Sequence, residues 1–397
     1  MGNSLINLTV FKHFLKSKTA GGVLLLICVI LSLTIANSPL GADFERLLDT
    51  EIGFDTASVH LRYSILLWIN DGLMAIFFLL VGLEIKRELV EGELSSPKKA
   101  ALPILAAVGG VLAPAGIYFL LNKGTETAGG WGIPMATDIA FAIAIITMLG
   151  KKVPASLKIF LAALAIVDDL MAILVIAVFY TSELHWNYLL YAGGLFGLLL
   201  VFNKLGVKKL IFYLIPGVFI WYFIHHSGIH ATIAGVLVAM ALPTTPDAKE
   251  SPLERLEHML LNPVNFIIMP LFALVNTNIR FQEEMVAGLF TPLGLGIVLG
   301  LVLGKPLGIT LISWIAVKLG VSTLPTAARW IQIIGVGMLA GIGFTMSIFI
   351  ALLSFTGHEI LLAEAKFSIL TASVLSALLG SALLSVVAKK ITKKEVR

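Results

Sequence analysis

The hydrophobic positions of this chain fall into long runs, and the polar positions gather in short segments between them. An α-helix rises about 1.5 Å per residue, so a run of about twenty apolar residues crosses the hydrocarbon core of a bilayer. The pattern predicts an all-α, polytopic membrane protein with a single transmembrane domain, 1–397. Its twelve predicted spans are 12–37, 60–90, 101–122, 129–149, 155–180, 187–203, 208–222, 227–241, 253–276, 292–319, 329–355 and 363–388.

The basic residues indicate how these spans are oriented, because cytoplasmic loops are enriched in Lys and Arg. If the N-terminus is inside, 22 of the 28 Lys and Arg residues fall on inside segments and five on outside segments. The remaining one, Lys305, lies within a span. A miscount of one helix in the middle of the chain would destroy this asymmetry. We therefore predict that both termini are cytoplasmic, with 1–11 and 389–397 as the terminal segments.

The composition is that of a membrane protein, with 58% hydrophobic and only 13% charged residues. A soluble domain carries about 25% charged residues. The basic residues behind the net charge of +4 lie in short loops, so we expect membrane lipid and no nucleic acid as a partner. No phosphate-binding loop is present in the sequence, so we expect no nucleotide. The single cysteine, Cys28, cannot form an intrachain disulfide.

The longest predicted outside segment is a periplasmic loop or hairpin at 38–59. The stretch "TEIGFDTASVHLRYS" has partial alternation of apolar and polar residues and a glycine, which favours a small β-hairpin. A hairpin of this size is marginally stable by itself. Pairing with a second copy in a dimer would support it, and an irregular loop is the alternative.

Ionisable residues near the middle of the predicted spans are the strongest indication of function. They are Asp71, Asp138, Asp168, Asp169 and Lys305. A charged side chain inside a bilayer is costly, and such residues usually mark an ion or substrate pathway. The alternative is a set of static ion pairs that fixes helix packing, but the three acids near one depth, Asp138, Asp168 and Asp169, do not balance the one base, Lys305.

The adjacent residues Asp168 and Asp169 lie in the middle of one predicted helix. Neighbouring helical residues point about 100° apart, so the two cannot form one bidentate clamp. One can face a water-filled funnel while the other faces a partner such as Lys305. Burial and mutual repulsion disfavour two charged carboxylates, and a proton can therefore compete with a cation for this pair.

Two predicted spans, 129–149 and 329–355, carry helix breakers near their centres. Pro134 precedes the first break, and the second span contains Gly335, Gly337, Gly341 and Gly343. Each is the middle span of a triplet, within 101–180 and 292–388, and the triplets run in opposite senses. This arrangement predicts an inverted repeat with interrupted helices four and eleven, which is typical of transporter sites. Close packing by small residues is the alternative, and it suits the second span better.

Several stretches together resemble the NhaA-type sodium/proton antiporters, a standard example of transporters with inverted repeats. They are "LLWINDGLMAIFFLLVGLEIKREL", "PMATDIAFAIAI", "LAIVDDLMAI", "SGIHATIAGV", "LGKPLGI" and "AGIGFTMSIFIALLSF". The resemblance covers nearly the whole chain in order. It implies twelve helices with the fourth and eleventh discontinuous and crossed, a homodimer joined partly through an outside hairpin, and a bacterial inner membrane location.

The resemblance also implies roles for the intramembrane residues. Asp168 and Asp169 match the family's ion-binding carboxylate pair. Thr137 and Asp138 match its fourth-helix pair, and Lys305 matches its tenth-helix lysine. Asp138 would offset the positive N-terminal ends of the half-helices, and Lys305 the negative C-terminal ends.

A pH-sensing cluster is implied as well, by residues Glu84, Arg87, Glu88, Glu257 and His258, and His230 matches a histidine linked to pH response. After "LEH" the chain reads "MLLN", where some members carry a second histidine. A solvated helix end is the alternative for this cluster, because "LEIKRELVEGEL" has opposite charges at helical spacing.

The function implied by the resemblance is secondary sodium/proton antiport. Na⁺ and Li⁺ would leave in exchange for protons, electrogenically and under pH control, by alternating access and without a cofactor. A sodium/organic-anion symporter of the bile-acid type would need a roomy amphipathic cavity. An intramembrane aspartyl protease would need two converging carboxylates from separate helices, which an adjacent pair does not supply. A channel is disfavoured because no reentrant filter sequence is evident.

Overall fold

The computed structural model describes residues 20–56, 59–181, 184–244, 251–281 and 283–395, and these are mostly helical. In this part of the chain, seven helices are long and apolar enough to cross a membrane. The number rises to ten if each of three bent helix pairs forms one span.

The first half of the chain begins with a helix that turns sharply and a two-stranded sheet, and continues with long helices. Its elements are α1 (Ala20–Ala36), α2 (Gly41–Asp49), β1 (Glu51–Asp55), β2 (His60–Ser64), α3 (Ile65–Val90), α4 (Pro97–Asn122), the 3-10 helix α5 (Glu126–Met135), α6 (Ile139–Met148) and α7 (Ala155–Phe179). The angle between α1 and α2 is 109°.

The second half contains three short helices and the third bent pair. Its elements are α8 (Trp186–Lys204), α9 (Ile211–His225), α10 (Ile233–Ala241), α11 (Pro252–Asn276), the short α12 (Glu283–Gly288), α13 (Pro292–Lys318), α14 (Trp330–Ala340), α15 (Phe344–Ser354) and α16 (Glu359–Glu395).

Most predicted spans coincide with these elements within a few residues. The difference between ten and twelve spans lies in α9 and α10, which have only 15 and 9 residues. The first part of the predicted span 12–37 lies outside the described residues, which begin at Ala20 within it. The twelve-span count therefore remains a prediction.

The predicted span 60–90 was wrong over its first five residues. His60–Ser64 is the strand β2, which pairs antiparallel with β1, and the helix begins at Ile65. The Ser64 side chain accepts a hydrogen bond from the Leu67 amide at 3.2 Å and so caps the first turn.

The stretch predicted as a small β-hairpin contains a two-stranded antiparallel sheet, formed by β1 and β2. Gly53 lies opposite Arg62 in its register and has a φ of +126°, and a Cβ there would lie 1.8 Å from the Leu61 carbonyl oxygen. Only glycine fits this backbone position. The indole of Trp68 donates to the Ile52 carbonyl at 3.0 Å and ties the sheet to α3.

Two buried hydrophobic clusters organise the helices. The larger joins α3–α7 with α11 and α13–α16, and the smaller joins α8–α10 with part of α3. Within the larger cluster, α4 and α13 approach each other at Gly109 and Gly308. A Cβ on Gly109 would lie 2.2 Å from the Gly308 carbonyl oxygen, and one on Gly308 would lie 2.0 Å from the Gly109 oxygen. Small residues thus allow backbone contact between these two helices.

We expect Gly109→Ala to lower stability by about 2 kcal/mol, because the added methyl group forces α4 and α13 apart. Gly116→Ala on the same helix is the matched control. A Cβ at Gly116 meets nothing within 4 Å, so this variant should be as stable as the parent or slightly more stable. Thermal unfolding of the detergent-solubilised protein measures both changes. Equal melting temperatures for the two variants would contradict the close contact.

Candidate functional site

The two broken helix pairs meet inside the larger hydrophobic cluster. The angle is 41° between α5 and α6 and 48° between α14 and α15. The Asp138 amide donates to the Ile342 carbonyl at 2.6 Å, and the Ser347 hydroxyl donates to the Ile133 carbonyl at 2.7 Å. The predicted interruption of both spans is confirmed, and the breaks are joined by direct hydrogen bonds.

The four glycines of the second broken pair divide into two kinds. Gly335 and Gly337 lie within α14, where an added Cβ would meet Leu384 and Pro306 at 2.8 Å. Gly341 and Gly343 lie in the break itself, between Ala340 and Phe344. Close packing and unwinding therefore both occur, at different positions.

Asp138 is buried between the N-terminal ends of two half-helices. As the N-cap of α6 it accepts a hydrogen bond from the Phe141 amide at 3.0 Å. Its other oxygen accepts from the Thr345 amide at 3.1 Å and from the Thr345 hydroxyl. One carboxylate thus satisfies amides of α6 and α15 and opposes the positive ends of both helix dipoles.

Asp168, on α7, is held by two side chains from other elements. The Lys305 ammonium of α13 forms a salt bridge with one Asp168 oxygen. The Thr137 hydroxyl, from the break between α5 and α6, lies 2.6 Å from the same oxygen. Asp168 and Lys305 are both completely buried, so each charge is neutralised by the other. This contact gives Lys305 a carboxylate partner.

Asp169 is buried next to Asp168 but is held differently. Neither its Oδ1 nor the Asp168 Oδ1 has a hydrogen-bond partner among the described residues. Neighbouring residues on a helix lie about 100° apart around its axis, so the two carboxylates leave α7 in different directions. Each of them therefore offers a buried oxygen that can accept a proton or bind a cation, and a hard oxygen ligand suits small alkali cations.

The Thr137 hydroxyl connects the carboxylate to the second broken pair. It lies 2.6 Å from Asp168 and 2.8 Å from the Ala340 carbonyl, at the C-terminal end of α14. A hydroxyl has one proton and can donate to only one of these acceptors at a time. The charge on Asp168 therefore influences whether the Thr137 hydroxyl bonds to Asp168 or to the C-terminal end of α14.

The structure brings together Thr137, Asp138, Asp168, Asp169 and Lys305 but separates Asp71 from them. Asp71 faces two histidines instead. In the part of the chain that is described, no group of three or more His, Cys, Asp or Glu side chains has the arrangement of a metal site.

A second charged cluster joins α3 to α11. Arg87 forms ion pairs with Glu257 at 3.2 Å and with its neighbour Glu88 at 3.4 Å. Glu257 is only 4% exposed, which differs from the solvated helix end that was the alternative for this segment. Glu84 and His258 both lie close enough to Glu257 to interact with it electrostatically.

Glu84 is also close enough to Asp169 to interact with it electrostatically. This half-buried residue is therefore the member of the charged cluster that is also near the acidic pair.

His230 does not join the Arg87 cluster. Its Nε2 lies 3.5 Å from Asp71, whose other oxygen lies 3.2 Å from the His225 ring. The second His230 nitrogen lies 2.9 Å from the Thr232 hydroxyl. Asp71 and the two histidines form a separate group at the junction of α3, α9 and α10.

Sequence reasoning missed several residues that contact the site. Thr345 and Ser347 bind the facing break, and their polar positions in the apolar run "GIGFTMSIFIALL" were a usable signal. Ser373 of α16 accepts a hydrogen bond from the Phe344 amide, and nothing in the sequence indicates this contact. His225 lies 3.2 Å from Asp71, and no pattern in the sequence distinguishes it from the other histidines.

The fold and this site define a multi-pass membrane protein with a buried acidic pair between two broken helices. A family profile described as Na⁺/H⁺ antiporter 1 matches residues 12–384. The chain is 66% identical to the Na(+)/H(+) antiporter NhaA 2 of Flavobacterium johnsoniae, over 96% of this chain and 93% of that protein.

Two further relatives agree. Identity to the Na(+)/H(+) antiporter NhaA of Flavobacterium psychrophilum is 51%, over 93% of this chain and 94% of the relative. Identity to that of Bordetella parapertussis is 48%, over 95% and 96%. The chain belongs to the NhaA family of Na⁺/H⁺ antiporters, which are transporters and not enzymes.

We expect Lys305→Met to lower stability by about 3 kcal/mol near pH 8, because it leaves the buried Asp168 carboxylate unpaired. The loss should shrink towards pH 5, where the unpaired carboxylate can take up a proton. Lys318→Met near the end of the same helix removes an exposed lysine and should cost about 1 kcal/mol or less at either pH. Thermal unfolding across this pH range measures both. A Lys305→Met loss that does not depend on pH would contradict the pairing.

Proposed function

We propose that this protein exports Na⁺, and also Li⁺, in exchange for protons that move inwards. The observation that carries the proposal is the asymmetry of the buried pair. Asp168 and Asp169 each have a buried oxygen without a hydrogen-bond partner, but of the two only Asp168 has an ion pair among the described residues, with Lys305. A buried carboxylate without a counter-charge is costly, so Asp169 needs either a proton or a cation.

Competition between the two ions at the same oxygens makes exchange obligatory. When Na⁺ binds, it displaces the proton, and when protons return, they displace Na⁺. If the site changes its access from one side of the membrane to the other only when an ion occupies it, neither Na⁺ nor protons leak through the protein. The oxygens of Asp168 and Asp169, with backbone carbonyls and water, suit a small hard cation.

Net charge moves inwards if more protons enter than sodium ions leave. Each such charge gains about 2.3 kcal/mol per 100 mV of membrane potential, which is sufficient to drive Na⁺ out. Two sources of the additional proton fit the site. Either Lys305 releases a proton when Na⁺ draws Asp168 away from it, or both aspartates carry one.

Alternating access about this site is part of the proposal. The triplets 101–180 and 292–388 form the inverted-repeat core, with twelve spans in all, and both termini lie in the cytoplasm of a bacterial inner-membrane protein. Hydrogen bonds between the two breaks support this, because movement of one broken pair must disturb the other.

Control by pH would involve the Arg87 cluster, namely Glu84, Arg87, Glu88, Glu257 and His258, together with His230. Support comes from the ion pair between Arg87 and the buried Glu257, and from Glu84, which lies close enough to both Glu257 and Asp169 to interact with them electrostatically.

We also propose a homodimer joined through the periplasmic hairpin. A two-stranded sheet has unpaired edges that a second copy can extend. On β1, Ile52 and Phe54 are both exposed, and burial against a second copy would remove this apolar surface from water.

Asp169→Asn tests the central exchange. In proteoliposomes or everted vesicles with a fluorescent pH probe, it should abolish Na⁺- and Li⁺-dependent proton release, because an amide neither exchanges a proton nor neutralises a cation. Asp43→Asn, which alters an exposed carboxylate on α2, should leave the exchange unchanged. Normal exchange by Asp169→Asn would reject Asp169 as the ligand.

Glu257→Gln tests the pH control. Without the Glu257 charge, Arg87 loses a partner and Glu84 loses a neighbouring negative charge. The pH at half-maximal activity should therefore shift by about half a unit or more, while the maximal rate changes by less than about twofold. Exchange rates measured between pH 6 and pH 9 give both values. An unshifted profile would exclude Glu257 from pH control.

A further inference from the structure

We propose that Ser373 of α16 is a positioning residue for ion exchange, because its hydroxyl holds the N-terminal end of α15 and thereby the donors that α15 presents to Asp138. This inference rests on the proposed function. It adds a residue outside the charged site, on a helix that supplies none of the ion ligands.

The contact occurs at the first residue of the half-helix. The Ser373 Oγ accepts a hydrogen bond from the Phe344 amide at 3.2 Å. The next residue, Thr345, donates both its amide, at 3.1 Å, and its hydroxyl to Asp138. The donor to α16 and the donors to the break in the other helix pair therefore lie on adjacent residues.

This end of α15 has no cap of its own. The amides in the first turn of a helix have no partner within the helix, and an N-cap side chain satisfies that of the second or third residue. The N-cap here is Gly343, which has no side chain to offer. The amide of Phe344, the first residue of α15, bonds to the Ser373 hydroxyl of a neighbouring helix.

Water is a poor substitute for the Ser373 hydroxyl as the acceptor of this hydrogen bond. Phe344 and Ser373 line a groove of about 320 Å³ between α1, α6 and α16. Among the described residues that line it, Ser373 has the only polar side chain. Without the hydroxyl, the amide would face apolar side chains, and an unsatisfied buried donor is costly.

A shift of the α15 end would act on the movement of the helices more than on cation binding. Asp138 satisfies amides of both α6 and α15, whereas Asp168 and Asp169 lie on α7 and do not depend on this cap. The ring of Phe344 also packs edge-on against Phe141, with centroids 5.2 Å apart. The loss of Ser373 should therefore lower the rate of exchange and leave the apparent affinity for Na⁺ intact.

Three variants reconstituted in proteoliposomes test this inference. Ser373→Ala should lower the maximal rate of Na⁺/H⁺ exchange about tenfold and change the apparent KM for Na⁺ by less than about twofold. Ser373→Thr retains a hydroxyl and should exchange within about twofold of the parent. Ser368→Ala removes another buried hydroxyl of α16, one without a hydrogen-bond partner in the described structure, and should behave as the parent.

The results separate the inference from the proposed function. A parent protein without Na⁺-dependent exchange refutes the proposed function itself. If the parent exchanges Na⁺ for protons, four results would overturn only the role of Ser373. They are a parental rate in Ser373→Ala, an equal loss of rate in Ser368→Ala, a rate in Ser373→Thr as low as in Ser373→Ala, and a raised KM for Na⁺ in Ser373→Ala with an unchanged maximal rate. If Ser373→Ala is too unstable to reconstitute, Ser373→Cys provides a weaker acceptor and should give an intermediate rate. A parental rate in Ser373→Cys would then overturn the role.

Discussion

Neutralisation of charge and of backbone dipoles in a low-dielectric interior is the constraint on which the rest of this structure depends. Each broken helix leaves amides and carbonyls without partners in a region where water is scarce. The protein satisfies them by packing one break against the other. Asp138 accepts from amides of α6 and α15, and Thr137 reaches the C-terminal end of α14. The breaks are thus stable only as a pair.

The same constraint connects the acidic pair to the broken helices. Asp168 shares the Thr137 hydroxyl with the Ala340 carbonyl and is neutralised by Lys305. A change in the charge on Asp168 therefore acts directly on its contacts with Thr137 and Lys305. In the mechanism that we propose, ion occupancy and helix position are coupled through these few hydrogen bonds.

Much of this site could be predicted from the chain alone, for a simple physical reason. Charges within apolar runs are so costly that Asp138, Asp168, Asp169 and Lys305 stand out in any reading. The breakers near two span centres also predicted the interruptions, which the structure contains. The β-hairpin was a weaker prediction, because apolar and polar residues alternate only partly along its sequence. Helix α3 was predicted to begin five residues too early, within strand β2.

The sequence by itself determined the class of protein, the membrane-spanning pattern and the identity of the charged residues, because hydropathy and charge are local properties. The tertiary structure decided which residues meet. In the folded chain, Lys305 pairs with Asp168, Asp71 contacts two histidines, and Ser373 bonds to the N-terminal end of α15. These are contacts between helices distant in the chain, and they depend on packing geometry that no local pattern encodes.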